Sequence, residues 1–177
     1  MIARALVIAA ALAASAGVAH AGRGAAEVAS GAVRDGEHLY ELVVARGWTP
    51  VTAPDGTLLA YQAPGGRAHL AVTRVAIGRT GADRDRLVDE IERGVEGATE
   101  GYRRRSRRLR DSGPVPLLEL DYDRRAAGAR ASSRVLTRFL LFRRHTVVLS
   151  IALEPGAPRA LRKQAEAMAR SFTAYLP

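Results

Sequence analysis

SSRVLTRFLLFRRHTVVLSIALE, residues 132–154, decides the fold. Its first half, 132–142, reads as a central strand, apolar on both faces. Arg143-Arg144-His145 makes a turn, and TVVLSIALE (146–154) is the strand that returns. A sheet whose middle strands are apolar on both sides must be covered on both sides. The sequence outward from this hairpin therefore has to supply two covering layers.

Downstream, PGAP (155–158) breaks the chain, and Pro158 stands at a first helical position, where a missing N–H costs nothing. Leu161, Ala165, Met168, Ala169, Phe172 and Leu176 then recur at helical spacing, giving one apolar face. On the other face, Arg162–Glu166 and Glu166–Arg170 are expected to pair at i,i+4.

Upstream, LLELDYD (117–123) alternates as a strand, with Leu118, Leu120 and Tyr122 on one face and Glu119, Asp121 and Asp123 on the other. A turn at DSGPVP (111–116) joins it to GYRRRSRRLRDSG (101–113), where six arginines fall between residues 103 and 110. A hairpin here sets arginines opposite carboxylates, in cross-strand pairs each worth roughly 0.2–1 kcal/mol. Arginine also protects an exposed strand edge against unwanted pairing.

Further upstream, Asp83 and Asp85 suit the first turn of a helix. Leu87, Ile91, Val95 and Ala98 form its stripe, and Gly94, Gly97 and Gly101 weaken it towards an end near 100. TLLAYQAP (57–64) and RAHLAVTRVAIG (67–78) flank Gly65-Gly66 as a hairpin. The second of these strands is expected to turn its odd-numbered residues, His69, Ala71, Thr73, Val75 and Ile77, inward. LYELVV (39–44) is a further strand. Trp48, a lone tryptophan beside glycine, is expected in the core with its indole N–H satisfied.

Residues 22–36 are small and polar without periodicity and read as a flexible lead-in to a single domain, 37–177. Before them, Arg4, the apolar run Ala5–Ala14 and the small-residue site Ala19-His20-Ala21 follow the order of a secretory signal, cleaved after Ala21. The run is shorter than the roughly 20 apolar residues a membrane-spanning helix needs. The expected location is periplasmic or secreted, with no transmembrane segment in the mature chain. The absence of cysteine removes thiol catalysis, thiolate metal sites and redox chemistry.

Strands, a helix, a strand meander and a C-terminal helix make an α+β class: a mainly antiparallel sheet flanked by helices in an α/β/α sandwich. The order carries particular residues with it. Gly47-Trp48 precedes the LLAY strand, and GRAHLAVTR follows. Then come the Leu/Ile/Val helix, the meander ending at the F-x-x-R turn and VVLSIALE, and the final A-x-x-M-A-R-S-F helix. This resembles the PsbP-like family, which includes the extrinsic photosystem II subunit, the Ran-binding Mog proteins and exported bacterial proteins such as DcrB. The resemblance covers residues 37–177. It implies a binding or accessory module, with no set of catalytic residues to carry over.

The chain has a net charge of +9, nearly all of it arginine, with Lys163 the only lysine. Such charge favours polyanions and anionic surfaces. Nucleic acid is not expected as the partner, because the chain is read as exported and only Tyr102 accompanies the arginines as a stacking aromatic. AIGRTGAD (76–83) matches neither phosphate-loop pattern. His38, His69 and His145 are far apart, and Glu37, His38 and Glu41 lack metal-site spacing. Glu119, Asp121 and Asp123 lack the glycine turn of a calcium loop and read better as ion-pair partners. Ser132, Ser133 and Ser150 have no elbow motif around them.

The expectation is therefore a non-catalytic exported module without cofactor or metal. It would bind another exported protein or an anionic envelope component through Arg103, Arg104, Arg105, Arg107, Arg108 and Arg110. Arg143 and Arg144 would extend the patch if their turn lies at the same end of the sheet. The alternatives are a charge-driven binder of polyanions or membrane surfaces, and a small hydrolase with a dispersed site.

Overall fold

The computed structural model of the chain describes residues 31–78, 83–111 and 113–175. The expected signal segment, the lead-in as far as residue 30 and Leu176 lie outside the described residues. A seven-stranded, wholly antiparallel sheet forms the middle layer. In spatial order it consists of β3 (Thr49–Pro50), β4 (Thr57–Gln62), β5 (Ala68–Val75), β9 (Thr146–Leu153), β8 (Ser133–Leu141), β7 (Leu117–Arg124) and β6 (Arg103–Arg110). The β8–β9 hairpin lies inside this sheet, and every residue of β9 is buried.

Each face has its own cover. One face packs against α2 (Arg159–Ser171) and a small three-stranded sheet, β1 (Gly31–Asp35), β2 (Tyr40–Val44) and β10 (Thr173–Ala174). Leu42, Trp48, Phe172 and the α2 residues Leu161, Ala165, Met168 and Ala169 meet Leu136, Leu140, Leu149 and Ile151 there. Trp48 is buried, and its Nε1–H donates to Oε1 of Gln164 at 3.3 Å, as expected of a core tryptophan. The other face packs against α1 (Arg84–Ala98), whose Leu87, Val88, Ile91 and Val95 meet Leu118, Leu120, Val135 and Phe139. Asp83 caps α1 by accepting from the Asp85 backbone N–H.

Four expectations need correction. Residues 31–35, assigned to the lead-in, form β1 and pair with β2 along their whole length, so the domain begins before residue 37. In β5 the even-numbered Ala68, Leu70 and Val72 are the fully buried set, facing α2 and the small sheet. Arg74 shares their alternation but is exposed near the strand end, which made that face look like the outer one. Ala98 is exposed; the α1 stripe instead takes in Val88 and the carboxylate of Glu92. Glu166 pairs with Arg134 of β8 at 2.9 Å, not with Arg162 or Arg170 on its own helix.

Candidate functional site: the arginine edge strand

The arginine stretch folds as β6, the outermost strand of the large sheet, and pairs antiparallel with β7. The expected hairpin is therefore present. Its register places Arg103 opposite Asp123, Arg104 opposite Tyr122, Arg107 opposite Leu120 and Arg108 opposite Glu119, with a shift between Arg104 and Ser106. That shift is a bulge with Arg105 as the extra residue. In a regular strand, residues three apart point to opposite faces. The bulge brings Arg104 and Arg107 onto the same face, towards α1.

There they close on Glu92. Arg104 donates to its Oε1 at 2.9 Å, Arg107 to its Oε2 at 2.7 Å, and the Tyr102 hydroxyl to Oε1 at 3.2 Å. Arg107 also reaches Asp89 at 2.6 Å. Glu92 is only 8% exposed. Burial alone would raise its pKa, but the hydrogen bonds from Arg107 and Arg104 outweigh it and hold the carboxyl below its ordinary value. Burial, and then the Glu92 charge, push the Tyr102 hydroxyl upward. Arg84, at the start of α1, pairs with Asp111 just beyond β6. Strand and helix are thus tied together by charge at both ends.

The opposite face of β6 carries a second network. Arg105 pairs with Asp123 at 2.7 Å and Arg110 with Glu119 at 3.0 Å. On β8, Arg138 pairs with Asp121 at 2.7 Å, and Arg134 bridges Asp121 and Glu166. All three β7 carboxylates are therefore held by arginines: Asp123 and Glu119 from β6, as the sequence reading expected, and Asp121 from β8. The arginines of β8 and the two acids of α1, Asp89 and Glu92, were missed. The signal for the former was present: Arg134 and Arg138 are four apart in a mostly apolar strand, hence on one face.

Of the eight candidate residues, Arg104, Arg105, Arg107 and Arg110 are engaged in these networks. Arg103 and Arg108 are exposed and form no ion pair among the described residues. Arg143 and Arg144 lie in the β8–β9 turn, which falls at the end of the sheet where β6 finishes at Arg110, away from Arg103. The backbone of this turn is held close against Gly78, where an added Cβ would lie 2.2 Å from the Arg143 carbonyl oxygen.

Other chemistry-bearing residues are spread out. His38 Nδ1 pairs with Asp35 Oδ2 at 2.9 Å, and Glu41 pairs with Arg34, so Glu37, His38 and Glu41 do not converge. His145 stacks on Phe142 at 4.7 Å; burial, and then the nearby charges of Arg74 and His38, lower its pKa. Ser150 is buried in β9 opposite Thr137. No three metal-ligating side chains gather among the described residues, and no helix there is long and apolar enough to cross a membrane.

The whole chain matches no family model and no curated protein. It is similar to solved structures. The cyanobacterial PsbP of Synechocystis sp. PCC 6803 aligns over 89% of this chain and 98% of its own, with a TM-score of 0.64 and 15% identity. A Pseudomonas aeruginosa protein of unknown function aligns over 83% and 97%, with a TM-score of 0.56 and 17% identity. LpqN of Mycobacterium tuberculosis, involved in cell envelope biogenesis, aligns over 82% and 90%, with a TM-score of 0.56 and 12% identity. At these identities the likeness is one of fold: the chain has the PsbP-like α+β architecture.

Proposed function

We propose that this chain is an exported, non-catalytic accessory module that docks another exported protein of the cell envelope along β6. One observation carries the reading. β6 is an edge strand with arginines on both faces, and after the internal networks are satisfied Arg103 and Arg108 still present charge to solvent. An open strand edge can accept an added strand from a partner, and flanking cations select an acidic one. Export rests on the N-terminal sequence, and the envelope setting is supported by the likeness to LpqN. The non-catalytic part rests on the lack of a nucleophile or metal motif in the sequence.

A second reading follows from the surplus charge of +9: a binder of anionic envelope surfaces in which charge alone supplies affinity. The two separate by salt. The tagged full chain is used to pull down material from the producing cell's envelope fraction at low and high ionic strength, beside the Arg103→Ser/Arg108→Ser variant. Docking predicts one partner that survives high salt and is lost in the variant, since a specific interface keeps an apolar, desolvated centre. Mixed material that washes off in high salt would mean surface binding instead.

A further inference from the structure

A group of arginines gathers at the end of the sheet opposite the β8–β9 turn. A depression of about 450 Å³ opens between the first turn of α2 and the start of β8, with Arg105, Arg134, Arg159, Arg162, Asp123 and Ser132 on its walls. A second, about 570 Å³, lies beside it under the β7–β8 loop and adds Arg103, Arg125 and Arg130. Asp123 and Ser132 line both, so the two form one trough. Asp123 is the only carboxylate residue on either wall.

The pairing of these groups decides what the trough lacks. Asp123 is taken by Arg105, and Arg134 is taken by Asp121 and Glu166. Arg125 donates to the Ala129 carbonyl and so braces the loop. Arg103, Arg130, Arg159 and Arg162 have no acidic partner among the described residues. Because Glu166 turns to Arg134, Arg162 keeps its charge for the trough. α2 also begins here without a capping side chain and without an acid in its first turn, which adds to the positive potential.

We infer that this trough is a binding site for a small ligand carrying two or more phosphoryl groups. A single monoanion would leave most of the charge uncompensated. Guanidinium groups match phosphoryl oxygens in paired hydrogen bonds, and several phosphoryl groups can engage several arginines at once. Each depression by itself falls within the usual volume range for small-molecule sites. The site shares Arg103 and Arg105 with β6, but Arg159 and Arg162 are outside β6 and Arg108 is outside the trough, so either assignment can fail alone.

Calorimetric titration of the full chain with inorganic pyrophosphate tests it, at fixed ionic strength with sulfate as the control anion. The expected result is one saturable site for pyrophosphate that sulfate fills only weakly. Arg159→Ser/Arg162→Ser should weaken binding about tenfold or more. Arg46→Ser/Arg170→Ser, which removes the same charge from exposed positions elsewhere, should change it less than about twofold. Equal weakening by both pairs, or no saturable binding of pyrophosphate, would overturn the assignment. Sedimentation with vesicles of anionic phospholipid is run alongside. Vesicle binding that survives Arg159→Ser/Arg162→Ser would place the lipid contact elsewhere, and vesicle binding without pyrophosphate binding would also overturn it.

Discussion

Glu92 shows how one residue organises the charged edge. It stands at a position that continues the apolar stripe of α1, yet accepts from two arginines and a tyrosine that the strand bulge brings to it. Glu92→Gln removes the charge and places an amide N–H₂ among donors. Hydrogen bonds to charged groups contribute about 1.5–3 kcal/mol, so a loss of about 2 kcal/mol in urea unfolding is expected. The linkage has a definite sign. A carboxyl whose folded pKa lies below its ordinary value of 4.5 stabilises above that value. Its contribution disappears as pH falls through the lowered folded value, because the unfolded chain then binds the extra proton. Acid titration of the melting temperature should therefore be shallower in the variant than in the parent.

At the scale of the element, β6 departs from simple alternation. Six arginines in a regular strand would divide between the faces by parity; the bulge at Arg105 overrides parity and gives Arg104 and Arg107 to Glu92. Arg105→Ala removes one exposed pair with Asp123 and should cost less than about 1 kcal/mol. Deleting Arg105 leaves Arg104 and Arg107 two apart in a regular strand, so both stay on the face towards Glu92. It should therefore cost no more than Arg105→Ala, less than about 1 kcal/mol. Comparing the two by denaturant unfolding separates the bulge geometry from the charge it carries. A deletion that costs about 2 kcal/mol or more would count against Arg105 being a mere extra residue between the two arginines that hold Glu92.

For the whole molecule, the decisive feature is a sheet covered on both faces by different devices. α1 alone covers one side, while α2 and the β1–β2–β10 sheet share the other. β1 belongs to that cover: Val33 packs on the larger core, Arg34 pairs with Glu41, and its guanidinium lies 4.6 Å from the Tyr175 ring. A chain starting at residue 37 leaves β2 paired only with the two-residue β10 and exposes apolar surface. It should be less stable than one starting at residue 31 by about 2 kcal/mol or more, read as a lower thermal midpoint. Equal stability would restore residues 31–36 to the lead-in.

The sequence by itself determined the elements of the meander and both helices, because apolar residues recur at periods of two or of 3.6 regardless of what they face. LLELDYD showed its acidic face, TVVLSIALE its burial on both sides, and the arginine stretch its place as a charged strand. Tertiary structure decided which face of a strand was inner. In β5 both parities carry apolar residues, and only the position of α2 and the small sheet chose Leu70 and Val72. It also decided which cations were spare. Glu166 had arginines within reach on its own helix and took one from β8; Arg104 and Arg107 found acids on α1, which precedes them in the chain. An ion pair depends on distances of a few ångströms between side chains far apart in sequence, and composition and spacing along one strand do not encode those distances.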